Sequence, residues 1–265
     1  MTGSHHPISL AAGVLPEFSP QETARAAAAA GYDATGVWVD TDIWSDATTR
    51  EMRTILAETG LPALDVEVIW LQPGPLADAH RRVIEIGREI GARHALVVSS
   101  DPDDGGTAAK LAELCELAGG DLRVSLEFGL FTEVRTIRQA AAIAARVDHP
   151  AIAVLVDPIH LHRSGGTPAD VAALDPRLFP YAQYCDAPPI GFDLADRAAI
   201  IRDAVDERLL PGDGILPLPA ILDALPHAVP LSIELRSKAL RDAYADPVAR
   251  ARAVAEATRA DLARA

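Results

Sequence analysis

Four stretches of this chain run from apolar, strand-forming residues into a side chain that offers oxygen. SLEFG ends its run in Glu127, AVLVD in Asp157, YAQYCD carries Gln183, and SIELRS reaches Glu234. A lone carboxylate at the end of a strand is commonly a loop residue or the N-cap of the next helix. Four consecutive strands doing this, two of them with glutamate, a poor N-cap, call for another explanation. Three carboxylates brought together repel one another and shift each other's pKa unless a cation neutralises them. A divalent metal meets that need. Three carboxylates and one amide carbonyl form an all-oxygen set, which favours Mg²⁺ or Mn²⁺ over zinc. Strand alternation puts Ser125 on the face of Glu127 and Ser232 on the face of Glu234, so each glutamate has a small polar residue beneath it.

Further candidates lie close to these strand ends. In VLVDPIHLHRSGG, Pro158 stops strand pairing after Asp157, and the turn brings His160 back towards the metal, within reach of a substrate oxygen. Arg163 is a weaker candidate for substrate and a better one for pairing with a barrel carboxylate, and Ser164-Gly165-Gly166 reads as a turn that could seat an anion. Trp38 ends strand two and Trp70 follows strand three, with Trp44 in the loop between those strands. They could build an apolar wall over a substrate, although core packing explains any one of them. Arg236 follows Glu234 as an anchor for an anionic group, whereas Lys238 reads as a solvated loop residue.

These residues must be held by a scaffold, and the pattern of the chain supplies one. Eight short β-like runs begin at Ile8, Ala34, Ala63, His94, Arg123, Ile152, Tyr181 and Pro230. They alternate with Ala-rich helical runs such as PQETARAAAAAG and PLADAHRRVIEIGREIG, each closing on glycine. Asp246 and Pro247 start the last helix as N-cap and first-turn residue. Eight alternations predict an α/β fold, a (β/α)8 TIM barrel whose single domain takes in residues 1–265, with active-site groups at the carboxyl ends of its strands. An open doubly wound sheet is the competitor, but no glycine-rich phosphate loop follows the first strand. The Pro/Gly-rich stretch 187–219 reads as one long loop that contains helix.

Composition narrows the function. Lys plus Arg is 24 against 38 Asp plus Glu, a formal net charge of -14, which repels phosphate backbones and anionic lipid. No apolar run would span a bilayer, and MTGSHHPISL has neither the basic n-region nor the apolar h-region of a signal peptide, so the expected location is cytoplasmic. Two cysteines, Cys115 and Cys185, are too few for a disulfide framework or a cysteine zinc site. The expected partners are a small-molecule substrate and at most further copies of the chain in a homo-oligomer, with no nucleic acid and no membrane.

Glu, then DxxH, then a strand-seven ligand, then Glu, at the ends of the last four strands, resembles the xylose isomerase-like TIM barrel superfamily. That superfamily includes many sugar phosphate isomerases and epimerases. The resemblance spans nearly the whole chain, including AAAAAGYDATGVWV, DPIHLHRSGG and LLPGDGILPLPAIL. It implies Glu127, Asp157, Gln183 and Glu234 as metal ligands, the two glutamates doubling as acid and base, and His160 facing the substrate. The implied chemistry is proton abstraction next to a carbonyl, giving isomerisation or epimerisation of a sugar or related polyhydroxy carbonyl compound. Strand seven usually supplies histidine in the sugar epimerases. Gln183 looks instead like the oxygen-only set of the bacterial 3-dehydroshikimate dehydratases, which makes a dehydratase the alternative. A one-residue change of strand phase would present Asp186 in place of Gln183. A DNA-repair nuclease of the endonuclease IV type would need more histidines and a basic groove, and the intact ligand set argues against a non-catalytic sugar-binding barrel.

Overall fold

A computed structural model describes residues 6–264. The strands are β1 Ile8–Leu10, β2 Ala34–Trp38, β3 Ala63–Leu71, β4 His94–Ser99, β5 Arg123–Glu127, β6 Ile152–Leu155, β7 Ala182–Gln183 and β8 Leu231–Ile233. They form one parallel sheet in the order β6-β5-β4-β3-β2-β1-β8-β7. A single parallel bridge from Val156 to Ala182, with the Gln183 N–H donating to Val156 O at 2.9 Å, brings the two edges together. The result is a nearly closed (β/α)8 barrel, as the alternation of strands and helices predicts.

Between β1 and β6 the covering helices are α1 Pro20–Ala29, α2 Asp46–Thr59, α3 Asp78–Ile90, α4 Asp104–Ala118 and α5 Ile137–Val147. After β6 come α6 Pro158–Arg163, α7 Pro168–Ala172, α8 Arg197–Asp206, α9 Leu218–Ala224, α10 Lys238–Ala243 and α11 Pro247–Leu262. Their ends follow from local chemistry. Ser19 and Glu22 form a reciprocal capping box ahead of Pro20, and the Asp246 side chain accepts the Ala249 N–H at 2.7 Å to start α11. Gly60 and Gly91 end α2 and α3 in the left-handed conformation. No helix among the described residues is long and apolar enough to cross a membrane.

The main core lies between sheet and helices, where Val66, Ile69, Ile84, Leu111, Val124 and Ile143 are fully buried. A smaller cluster of Ala34, Leu64, Leu96, Val98, Leu155 and Tyr181 fills the barrel's interior. Strand seven is much shorter than the run YAQYCD. After Gln183 the chain leaves the sheet, and Asp186 pairs antiparallel with Leu209 instead, with both backbone bonds formed at 2.9–3.0 Å. The Asp186 carboxylate accepts N–H groups from Ala187, Gly212, Gly214 and Leu216 at 2.8–3.1 Å, which pins the LLPGDGIL loop. Gly214 has to be glycine because a Cβ there would lie 2.3 Å from Asp186 Oδ1. Asp186 is therefore committed to the loop.

Candidate active site at the carboxyl end of the barrel

Each donor is placed by a short local rule. Glu127 is the last residue of β5, Gln183 the last of β7, and Glu234 follows β8 directly. Asp157 follows β6 and is also the N-cap of α6, its Oδ1 accepting the Ile159 N–H at 3.0 Å. The N-cap and site readings of Asp157 thus apply to the same side chain. Pro158 opens α6, and one turn of helix carries His160 back until its Nε2 is 3.7 Å from Asp157 Oδ2. All five residues are buried.

A cavity of ≈230 Å³ opens above them, with Glu67, Glu127, His160, Arg208, Glu234 and Arg236 supplying its polar groups. Trp38, Trp70 and Phe131 form an aromatic wall. Phe131 packs edge-on to Trp70 at 5.9 Å and tilts against the His160 ring at 4.9 Å. A larger groove of ≈1040 Å³ runs past Arg123 and Ile152, at the opposite ends of β5 and β6, and none of these donors lines it. In barrels of this kind chemistry belongs to the carboxyl ends of the strands, so the smaller cavity is the candidate site.

Several sequence candidates sit elsewhere. Arg163, considered for substrate binding, is buried away from the cavity. Its guanidinium pairs with Asp203 through two bonds of 2.9 and 3.0 Å and donates to Pro188 O. Trp44 packs against the core, its indole N–H donating to Thr49. Lys238 is exposed and pairs with Asp242, and Ser164–Gly166 close α6 as a turn. Arg236 does line the cavity, 5.7 Å over the Trp38 ring, with its Nε donating to Glu234 Oε1 at 3.0 Å.

Two important residues escape the reading from sequence alone. Glu67, on β3, accepts the Ala12 N–H at 3.1 Å and lines the cavity. ALDVEVI carries a signal for it, since Asp65 and Glu67 are two carboxylates on one face of an otherwise apolar strand. Arg208 has no local signal. It lies just after α8, 51 residues from its main partner, with Nη1 2.6 Å from Asp157 Oδ2 and Nη2 3.6 Å from Glu234 Oε2.

The electrostatics follow from burial and this pairing. Burial, reinforced by the charges of Glu234 and Asp157, holds Glu127 well above the ordinary carboxylate range. Burial, with Glu234 adding to it, pushes Glu67 up to about 7. Asp65, beneath Glu67, is raised by burial and by the neighbouring glutamates. Burial works against ionisation of Asp157 too, but the Arg208 charge, helped by His160 and by hydrogen bonds, outweighs it and lowers its pKa. Burial lowers His160, more than Asp157 raises it, so its imidazole is neutral at pH 7.

The donor set suits a divalent cation. Glu127 Oε1 and Gln183 Oε1 are buried without a hydrogen-bond partner, a costly condition that a metal would relieve. Glu127, Asp157 and His160 each have a donor atom within 4.8 Å of the others. When ionised, the carboxylates Asp65, Glu67, Glu127, Asp157 and Glu234 outnumber the two guanidiniums, Arg208 and Arg236, and leave an excess of negative charge. A divalent ion would offset most of that excess.

Comparison with known proteins gives a consistent picture. A family model described as xylose isomerase-like TIM barrel matches residues 24–260. A 3-dehydroshikimate dehydratase of Pseudomonas aeruginosa is 26% identical over 253 residues, an alignment covering 87% of this chain and 37% of that protein. The chain thus spans little more than a third of that curated relative's length. The IolI protein with a bound zinc atom superimposes with a TM-score of 0.83 at 16% identity, covering 97% of this chain and 98% of that one. D-psicose 3-epimerase from Clostridium cellulolyticum H10 gives 0.71 at 12% identity, covering 97% and 99%. At these identities the two structures speak for the fold alone.

Proposed function

The chain belongs to the xylose isomerase-like TIM barrel family, and from that premise we propose that it is a divalent-metal-dependent enzyme that removes a proton next to a carbonyl. Glu127, Asp157, Gln183 and Glu234 would hold Mg²⁺ or Mn²⁺, ions suited to an all-oxygen set. When bound, such an ion would polarise the substrate carbonyl and stabilise the negative charge that develops on its oxygen.

The observation that carries the reading further is the inequality of the two glutamates. Glu234 is held by Arg236 at 3.0 Å and approached by Arg208 at 3.6 Å, so its oxygens are engaged by guanidiniums. Glu127 has a buried oxygen without a hydrogen-bond partner, and among the described residues no guanidinium pairs with it. A single carboxylate free of a guanidinium partner favours elimination by one base. Glu127 takes the α-proton, and the C–H electron pair forms the new double bond. The β-hydroxyl leaves with the C–O electron pair, taking up the proton that Glu127 has gained to depart as water, while the neutral His160 imidazole hydrogen-bonds the departing oxygen. Arg236 would anchor an anionic group of the substrate, and Trp38 and Trp70 would cover its apolar face. The best reading is therefore a dehydratase of the 3-dehydroshikimate type, in keeping with the curated relative and with glutamine on strand seven. Isomerisation or epimerisation of a sugar is the second reading. It is favoured by Glu127 and Glu234 standing at the ends of β5 and β8, which are not neighbours in the barrel, as a two-base reaction requires.

The test is metal-loaded protein in D₂O with 3-dehydroshikimate and with a panel of ketoses, followed by NMR. Dehydration requires an unsaturated product from 3-dehydroshikimate and loss of all turnover and exchange in Glu127→Gln. An epimerase would instead return deuterated ketose, and one glutamate variant could still wash label into unreacted substrate. Full turnover in Glu127→Gln would eliminate the base assignment.

A further inference from the structure

Arg208 is the buried guanidinium at the centre of the donor set, its side chain only 2% exposed. Nη1 donates to Asp157 Oδ2 at 2.6 Å and to the Glu234 carbonyl at 3.0 Å. Nη2 lies 3.4 Å from His160 Nε2 and 3.6 Å from Glu234 Oε2. Nε is tethered to Ala204 O at 2.7 Å, so the head group is held from α8. One guanidinium thus engages two of the four residues that would hold the metal. The other Asp157 oxygen is already occupied by the Ile159 N–H.

We propose that Arg208 is an internal counter-ion that competes with the divalent metal for Asp157 and Glu234, and so sets the metal affinity of the site. This rests on the metal-dependent reading above. Buried carboxylates without a compensating cation are costly, so the guanidinium lets the barrel mouth fold before any metal is present. It also places a positive charge against the oxygen that the metal must take over. In a poorly solvated site that repulsion is barely screened, and binding is weaker than the bare donor set would give. Removing the charge should therefore tighten metal binding while destabilising the metal-free protein. A residue that merely orients Asp157 would give the opposite result for affinity.

The experiment titrates Mn²⁺ into metal-free wild type, Arg208→Met, Arg208→Gln and Arg208→Lys by calorimetry, and records the Tm of each with and without saturating Mn²⁺. The expected result is a Kd at least tenfold lower in Arg208→Met and Arg208→Gln and close to wild type in Arg208→Lys, which keeps the charge. The two neutral variants should also melt lower without metal and gain more from Mn²⁺ than wild type does. Should Arg208→Met not fold without metal, Arg208→Gln carries the comparison, because it offers Asp157 a donor without the charge. Measurable binding in the neutral variants and none in wild type would be the competition at its strongest. Equal or weaker binding in the neutral variants, with wild type binding normally, overturns the proposal and leaves the functional reading intact. No Mn²⁺ binding in any of the four proteins defeats the metal-dependent reading and this proposal with it.

Discussion

Acid should destabilise this barrel through His94 as pH falls below 6.5. His94 begins β4 at the floor of the barrel, 5% exposed, with its ring stacked on Tyr181 at 4.2 Å and its Nδ1 3.3 Å from Ser125 Oγ. Burial, with the charges of Arg123 and Arg93 adding to it, drives the imidazole from its ordinary 6.5 down to about 3. The unfolded chain takes up a proton below pH 6.5 that the native protein refuses until about pH 3. The sign is therefore fixed: the stabilisation is complete above pH 6.5 and is lost as pH falls towards 3. Linkage gives about 1.36 kcal/mol per pH unit between the two values, hence on the order of 5 kcal/mol across the full range and about 3 kcal/mol by pH 4.5. His94→Phe keeps a ring against Tyr181 and cannot titrate. Urea unfolding of both proteins between pH 7.5 and 4.5 should show wild type losing about 3 kcal/mol relative to the variant, or roughly 6–12 °C in Tm. Parallel stability curves for the two proteins over that range would refute the reasoning.

Three further outcomes are expected. Gln183→His should retain metal but shift its preference towards Zn²⁺ or Co²⁺, because imidazole suits those ions better than an amide oxygen; competition calorimetry with Mn²⁺ would show it, and an unchanged preference would exclude Gln183 from the ligand set. Arg163→Met leaves Asp203 buried without its partner and should cost about 3–5 kcal/mol in unfolding experiments while Mn²⁺ affinity stays within about twofold, since the pair lies outside the cavity. Glu127→Gln keeps a ligand oxygen but cannot take a proton. It should bind metal and lose at least about 100-fold in turnover of any true substrate, measured by steady-state kinetics.

Much of this protein is local, and local features can be read along the chain. Strand alternation has a period of two, so a run such as RVSLEFG fixes which face Glu127 takes without knowledge of its neighbours. The same rule puts Gln183 and Asp186 on opposite faces without saying which faces inward, and it applies equally to Asp65 and Glu67, an acidic pair on one face of an apolar strand. Helix ends are equally local, because Ser19, Asp246 and the terminal glycines act within one turn. What the tertiary structure alone decided is how the charges are paired. Arg208 meets Asp157 across 51 residues, and Arg163 meets Asp203 across 40, because closing the barrel brings the β7–β8 loop over β6. A guanidinium in a loop carries no periodicity that names its partner. Which carboxylate it neutralises, and therefore which glutamate keeps an unpartnered oxygen, depends on where the folded chain puts a buried charge that only proximity can compensate.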